Sequence, residues 1–369
     1  MKIIHYYARF ADHRSGVTES IATWLRMAHE EFETELWFAP FRHDKEHRDL
    51  VGVRQLTSRI REIPHLGRTR KNYIPLMPWS AIQPGDVMYL HEGWVVSNIV
   101  AIGWAKVRGA RVVVMPHGVY EPQLVAGIRD IAGVRRHLES LTLRMADWIH
   151  VFYDSEAPLA AAIAGRQVRS VAFPNPSPCV GSTLQWKPDE SHDYYLWVGR
   201  FDVRHKGVDL LLEGWAKLPL PRPRLLLVGP DVNGGKQQMS SLSAKLGITD
   251  SVDIRNSVDA TTMVDLARGA IGFIQPSRWE SCSMVLNQMV AVGVPCAVHD
   301  VIHAAIPLRN AGLAVTFHDA AGIPAVLKDL AISELGGPSQ CAAAQALDED
   351  SVGRAYRKWL HVLAGEKLE

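Results

Sequence analysis

The chain is expected to fold as α/β, with two doubly wound Rossmann-like domains facing across a cleft. Short apolar runs of strand length alternate with helix-period segments through most of the 369 residues. That is the pattern of parallel sheets covered by helices on both faces. The alternation breaks at Pro174-Asn175-Pro176-Ser177-Pro178, where three prolines in five residues suit a semi-rigid linker. A second alternating series then starts at Tyr194. The length is ample for two domains.

In the first series, strands are expected from 3 to 8, 34 to 39, 86 to 91, 111 to 115 and 148 to 152. Amphipathic helices are expected from 17 to 31, 98 to 108 and 133 to 145. The second series predicts strands at 194–198, 225–228, 252–255, 271–274 and 295–298, each followed by a helix pattern. One last amphipathic helix runs from 351 to 363. The domains are therefore read as 1–175 and 191–350 with 176–190 as linker, and the terminal helix, 351–366, packing back on the first domain.

Composition excludes several classes. A formal net charge of +1 gives no global pull toward nucleic acid. With 47% apolar residues the chain can bury a large core. The four cysteines, Cys179, Cys282, Cys296 and Cys341, are scattered, which argues against a zinc site or a disulfide framework and fits a reducing compartment. The N-terminus lacks the apolar run of a signal peptide, and no apolar stretch reaches the length of a membrane span. Between Arg42 and Lys71 there are nine Lys/Arg, four Asp/Glu and three His. This is either a solvated helix face and loop, or a basic patch facing an anionic membrane or an anionic acceptor. The expected location is the cytoplasm, and in the second case the inner face of the membrane.

In open parallel sheets, ligands bind beyond the carboxyl ends of strands. The informative polar residues stand at such ends. Gly199-Arg200 follows the strand at 194–198, and Lys206-Gly207 comes six residues later. Pro276-Ser277-Arg278-Trp279-Glu280 follows the strand at 271–274. His91-Glu92 and Pro116-His117-Gly118 close two strands of the first series.

In this order and at these spacings, the segments Gly199–Gly207, Pro276–Ser281, Gly293-Val294-Pro295, Pro116–Pro122 and Pro174-Asn175 resemble family GT4, the retaining glycosyltransferases of GT-B architecture. The resemblance covers nearly the whole chain. It implies a metal-independent enzyme that moves a sugar from a nucleotide-diphosphate donor, UDP- or GDP-linked, to a hydroxyl of a glycan, lipid-linked or small-molecule acceptor. No cofactor is implied, and the partners expected are the nucleotide sugar and its acceptor.

The residue chemistry agrees with that implication. Arg200 offers a fork of donors matched to phosphate oxygens. Lys206 adds a point charge, and together they would neutralise a leaving diphosphate without metal. Glu280 precedes a helix whose free amides begin near Ser281, Cys282, Ser283 and Met284. Such an end binds anions and hydroxyls, although Glu280 would also serve as a simple complement to the helix dipole. In the family the corresponding Glu contacts the donor sugar, and His117 corresponds to a residue beside that sugar. Gly199 and Gly16 belong to the donor side; Gly16 is either a close-approach glycine or an ordinary turn residue. His91, Glu92 and Tyr120, with Trp94 and Glu121, are candidates for the acceptor side.

The chain also departs from the pattern. Gln288 stands where the family has a second Glu that accepts from the nucleotide ribose; it keeps one acceptor oxygen and adds donors. Ser283 replaces a usual glycine, and Asn256 stands where a glycine commonly lies beside the base. Two other functions therefore stay open: a non-catalytic sugar-nucleotide binder of the same fold, and a nucleotide-sugar epimerase.

Overall fold

A computed structural model describes all residues except 12–14, 41–54, 68–73, 129, 131–132, 178–185, 187–192, 333–334, 336–343 and 366–369. Much of the basic stretch 42–71 and of the 176–190 linker lies outside the described residues, as do Cys179 and Cys341. Contacts divide the chain into two units, Met1–Asn175 with Val352–Glu369, and Pro176–Ser351.

The strands of unit one are β1 (Lys2–Tyr6), β2 (Glu33–Phe38), β3 (Arg59–Glu62), the short antiparallel pair β4 (His65–Leu66) and β5 (Ile74–Pro75), then β6 (Val87–His91), β7 (Arg111–Met115), β8 (Trp148–Val151) and β9 (Ser170–Ala172). Seven of them form one parallel sheet in the order β3-β2-β1-β6-β7-β8-β9. Strands buried on both faces read as continuous apolar runs, and β7, Arg-Val-Val-Val-Met, is such a run. Alternate residues serve the two faces. Ile4, Tyr6, Met88, Leu90, Val112 and Val114 pack in one core with Ala101, Ile102 and Ala105 of the helix Val96–Val107.

The opposite face is unusual for a core. It carries His5, Tyr89, His91 and His150, all at most 1% exposed. Aromatic rings cover it. Trp24, from the helix Gly16–His29, packs edge-on to His150 and to Tyr356 of the last helix, Glu349–Ala364. Tyr89 and Trp148 meet Trp359 of that helix edge-on. Arg357 adds ion pairs with Glu30 (2.7 Å) and Glu31 (2.9 Å). Pairs of this exposed kind are worth little, so the aromatic contacts hold the helix in place.

Unit two contains β10 (Tyr194–Val198), β11 (Arg224–Val228), β12 (Val252–Arg255), β13 (Ala270–Gln275), β14 (Cys296–His299) and β15 (Val315–Phe317). They form one parallel sheet in the order β12-β11-β10-β13-β14-β15. Trp197, Leu211, Leu212, Trp215, Leu225, Leu227 and Ile274 are among its core.

Both sheets reverse direction once. In unit one the chain steps outward from β1 to β3 and returns beside β1 with β6; in unit two it steps from β10 to β12 and returns beside β10 with β13. The crevice beyond such a reversal is where doubly wound sheets bind ligands. Arg200 follows β10 and Glu280 follows β13; Arg9 follows β1, and His91 ends β6. No described helix is long and apolar enough to cross a membrane.

Candidate active site

Each unit carries one cluster of polar side chains at its reversal point. In unit two, the loop after β10 is tied down by Gly199 N–H donating to Val228 O and Phe201 N–H to Pro230 O, both at 3.0 Å. Asp202 caps the turn Val203–Lys206 by accepting from His205 N–H at 3.2 Å. The turn closes on Gly207 at φ 64, where a Cβ would lie 1.9 Å from Pro276 O. Only glycine lets the Lys206 loop lie directly on the loop after β13.

That second loop is fastened to the first. Arg278 N–H donates to His205 O at 3.0 Å. The Arg278 guanidinium grips both oxygens of Asp209 at 2.7 and 2.9 Å and reaches Arg204 O at 3.0 Å. The His205 ring stacks on Trp279 at 4.6 Å. Burial, with the Lys206 ammonium alongside, lowers the His205 imidazole below its ordinary pKa.

These fastenings bring Lys206 onto Glu280, its ammonium donating to Oε1. The same oxygen accepts from Ser277 Oγ at 3.0 Å, and Ser277 Oγ accepts from the Gln275 amide at 2.6 Å. Oε2 of Glu280 has no protein partner among the described residues. Arg200 is exposed and likewise has no side-chain partner among them. The two cations are thus unlike: one is held by a carboxylate, the other faces water.

The helix Met284–Val292 is capped by Ser283, whose hydroxyl accepts from Leu286 N–H at 3.2 Å. Replacing glycine there thus installs an N-cap, a residue type worth ~1 kcal/mol over alanine at such a position. Cys282 Sγ accepts from the Asn287 amide at 3.5 Å. Ser281 precedes them, and Met284 opens the helix. Gln288, one turn in, is half-buried with no side-chain partner among the described residues. Asn256 directly follows β12 and accepts from Lys236.

In unit one, Glu92, Trp94 and His117 have left-handed backbones at φ 64, 62 and 56. Such residues cost ~1–3 kcal/mol each and need fixing by their surroundings. The Asn98 amide donates to His91 O at 3.3 Å and Glu92 O at 2.8 Å. Glu139, buried on the helix Val134–Met145, accepts from Trp94 N–H at 2.7 Å and from the Tyr120 hydroxyl. Burial raises Glu139 to about 7 and Tyr120 well above its usual value. Tyr120 therefore spends its hydroxyl inside the protein and serves as wall rather than as a donor to a ligand. Glu92 is gripped by Arg9 through both oxygens, at 2.7 and 2.8 Å.

A pocket lies over this cluster, lined by His117, Gly118, Tyr120, Glu121, His150 and Glu156, among others. His91 is linked to His117 and, in the other direction, to His5. Gly16 is the first residue of its helix, capped by Ser15, and nothing lies within 4 Å of where a Cβ would be. The protein's own packing does not require glycine there.

Arg9, His5 and Glu139 were not singled out in the sequence. Arg9 follows β1, so the strand-end rule alone points to it. His5 and Glu139 sit inside a strand and a helix and give no such signal. The chain has one Asp-x-Asp, Asp348-Glu349-Asp350. Asp348 there caps the last helix by accepting from Ser351 N–H at 2.7 Å. Neither described cysteine, Cys282 or Cys296, forms a disulfide with another described residue.

Residues 192–333 match the family model described as glycosyl transferases group 1. D-inositol 3-phosphate glycosyltransferase of Streptomyces scabiei is 31% identical over 169 residues, 43% of this chain and 37% of that protein. The Streptomyces coelicolor counterpart is 32% identical over 147 residues, 37% of this chain and 32% of its own length. The matches thus span about a third of the curated relatives' length. Among solved structures, the lipopolysaccharide outer core galactosyltransferase WaaB superposes with TM-score 0.73 at 15% identity, covering 98% of this chain and 99% of that one. Sucrose-phosphate synthase from Thermosynechococcus elongatus gives 0.72 at 18% identity, covering 99% of each chain. Anabaena HepE in complex with UDP gives 0.71 at 12%, covering 98% of this chain and all of that one. The group 1 match thus lies within the second Rossmann-like unit and covers less than half of the chain, while the full-length likeness to solved glycosyltransferase structures shows that the chain has the GT-B fold.

Proposed function

We propose that the protein is a retaining glycosyltransferase that moves a sugar from a UDP- or GDP-linked donor to a hydroxyl of a glycan, lipid-linked or small-molecule acceptor, without a metal ion. The observation that carries this reading is the β10/β13 junction. There an exposed Arg200 with no side-chain partner among the described residues, a Lys206–Glu280 pair and the start of the helix Met284–Val292 stand on two loops locked together by Gly207 and Arg278. The curated relatives' names support sugar transfer, and HepE bound to UDP supports a nucleotide sugar as donor.

In this reading, negative charge on the leaving diphosphate grows toward the transition state. Arg200 and Lys206 stabilise it most where it is largest. Lys206 is shared between Glu280 and the phosphate. With Oε1 of Glu280 committed to Lys206 and Ser277, Oε2 is the oxygen available to a sugar hydroxyl. The acceptor hydroxyl attacks on the face the diphosphate leaves, and a phosphate oxygen takes its proton. His117 in unit one bonds a donor-sugar hydroxyl.

A thermal-shift screen with UDP, GDP, ADP, TDP and CMP tests the donor class. A nucleoside diphosphate that binds the fold stabilises it by mass action, and Arg200→Ala should abolish the shift. Stabilisation by none of the five would overturn the proposal. Gln288 in place of the ribose-binding glutamate favours a second reading, a non-catalytic binder. A clear thermal shift with no donor consumption, with or without acceptors, would select it.

A further inference from the structure

Three imidazoles of unit one form a line. His5 Nδ1 lies 2.9 Å from His91 Nε2, and His91 Nδ1 lies 2.9 Å from His117 Nε2. At the inner end, His5 is fully buried and its Nε2 has no partner. At the outer end, His117 lines the pocket, and its Nδ1 has no protein partner among the described residues.

A neutral imidazole has one N–H and one bare nitrogen. Each N···N contact needs one of each, and His91 takes part in both contacts. Fixing one tautomer therefore fixes all three. Only two arrangements satisfy the chain. In the first, every ring carries Nδ1–H, donation runs outward, and His117 offers an N–H to the pocket. In the second, every ring carries Nε2–H, donation runs inward, and His5 buries an N–H against nothing. Orphaned buried N–H groups are rarer than under-used acceptors, so the first arrangement is the better one. The rings are neutral near pH 7: burial and the neighbouring imidazoles hold His5 and His117 down to about 3 and His91 well below its usual value.

We infer that His5 and His91 are positioning residues that lock His117 as the Nδ1–H tautomer, so that His117 presents a hydrogen-bond donor to an oxygen of its ligand. That this ligand is a sugar nucleotide rests on the function proposed above; the lock itself does not.

Long-range proton–nitrogen NMR of the histidine-labelled full chain at pH 7 reads the tautomer directly, with His117→Gly assigning the signal. The expected result, with no ligand added, is a protonated Nδ1 and a bare Nε2 at His117. A protonated Nε2 in the native protein would overturn the inference. His91→Met then tests the coupling, because thioether sulfur accepts but cannot donate. His117 should switch to Nε2–H, and affinity for the best-binding nucleotide sugar should fall ~5-fold, the size of one hydrogen bond. An unchanged tautomer in a folded His91→Met protein would also overturn it. If that variant does not fold, the native measurement decides alone. The expected tautomer in a protein that binds no nucleotide sugar would count against the proposed function and not against the lock.

Discussion

The two reversal points solve one problem, a polar site at the edge of a buried sheet, with opposite chemistry. In unit two the polar groups are charged and compensated in pairs: Lys206 with Glu280, Arg278 with Asp209, and Arg200 left open. In unit one the central groups are uncharged imidazoles, sunk into the sheet and bonded to one another. A developing diphosphate anion calls for full positive charge. A sugar hydroxyl needs only direction, and a neutral donor supplies it without an ion's desolvation cost. Deletions should therefore cost far more in unit two than in unit one.

The largest expected effect tests that contrast. Arg200→Ala should lower turnover by ~100-fold or more, with thermal stability nearly unchanged, because Arg200 has no side-chain partner to strand among the described residues. His117→Gly, whose left-handed backbone tolerates glycine, should lower turnover only ~10-fold, in line with one neutral hydrogen bond. Equal losses in steady-state assays would break the comparison. Lys206→Ala sharpens it further: it should lower both turnover and melting temperature, since Glu280 loses its counter-ion.

Acid should separate the units next. The folded pKa values of His5, His117 and His150 lie at about 3, 3 and 4, below the ordinary 6.5, and His91 is lowered as well. Between those values and 6.5 the unfolded chain binds protons that the folded chain refuses. Their contribution to stability is thus full above pH 6.5 and is lost as pH falls toward 4. Each pKa unit is worth ~1.4 kcal/mol. Glu139, raised to about 7, works the other way, favouring the fold as pH drops from 7 to 4.5; four histidines outweigh it. Hydrogen exchange from pH 7 to 4.5 should show unit one opening before unit two. Loss of protection in unit two first would contradict the neutral-imidazole account.

A smaller effect concerns Gln288. If it meets the ribose, Gln288→Glu should tighten nucleotide binding by ~1 kcal/mol, since bonds to charged groups are stronger. Calorimetric titration checks this, and unchanged affinity would remove Gln288 from the site. The smallest expected effect is none: if, as proposed, two cations and a helix N-terminus take the metal's role, excess chelator should leave turnover unaltered. Activity lost to chelator and restored by magnesium or manganese would refute that.

Sequence alone determined the alternation and therefore the fold class. Period-2 and continuous apolar runs such as Arg111–Met115 and Tyr194–Val198 name buried strands unaided, because solvent exclusion acts residue by residue. β3, β9 and β15 escaped that reading. They are short and only partly buried, and they exist because a neighbouring strand offers its edge. The positions of Arg200, Lys206, Glu280 and His117 at strand ends were likewise legible, from spacing and strand-end logic. What those side chains touch was not. The Lys206–Glu280 pair spans 74 residues of sequence, and the His5–His91–His117 line joins the interior of β1, the end of β6 and the loop after β7 through contacts 86 and 26 residues apart. Such contacts follow from which strands become neighbours and in what register. That is a property of the packed sheet, so only the tertiary structure could decide which cation is held by a carboxylate, which is exposed, and which way a row of histidines points its protons.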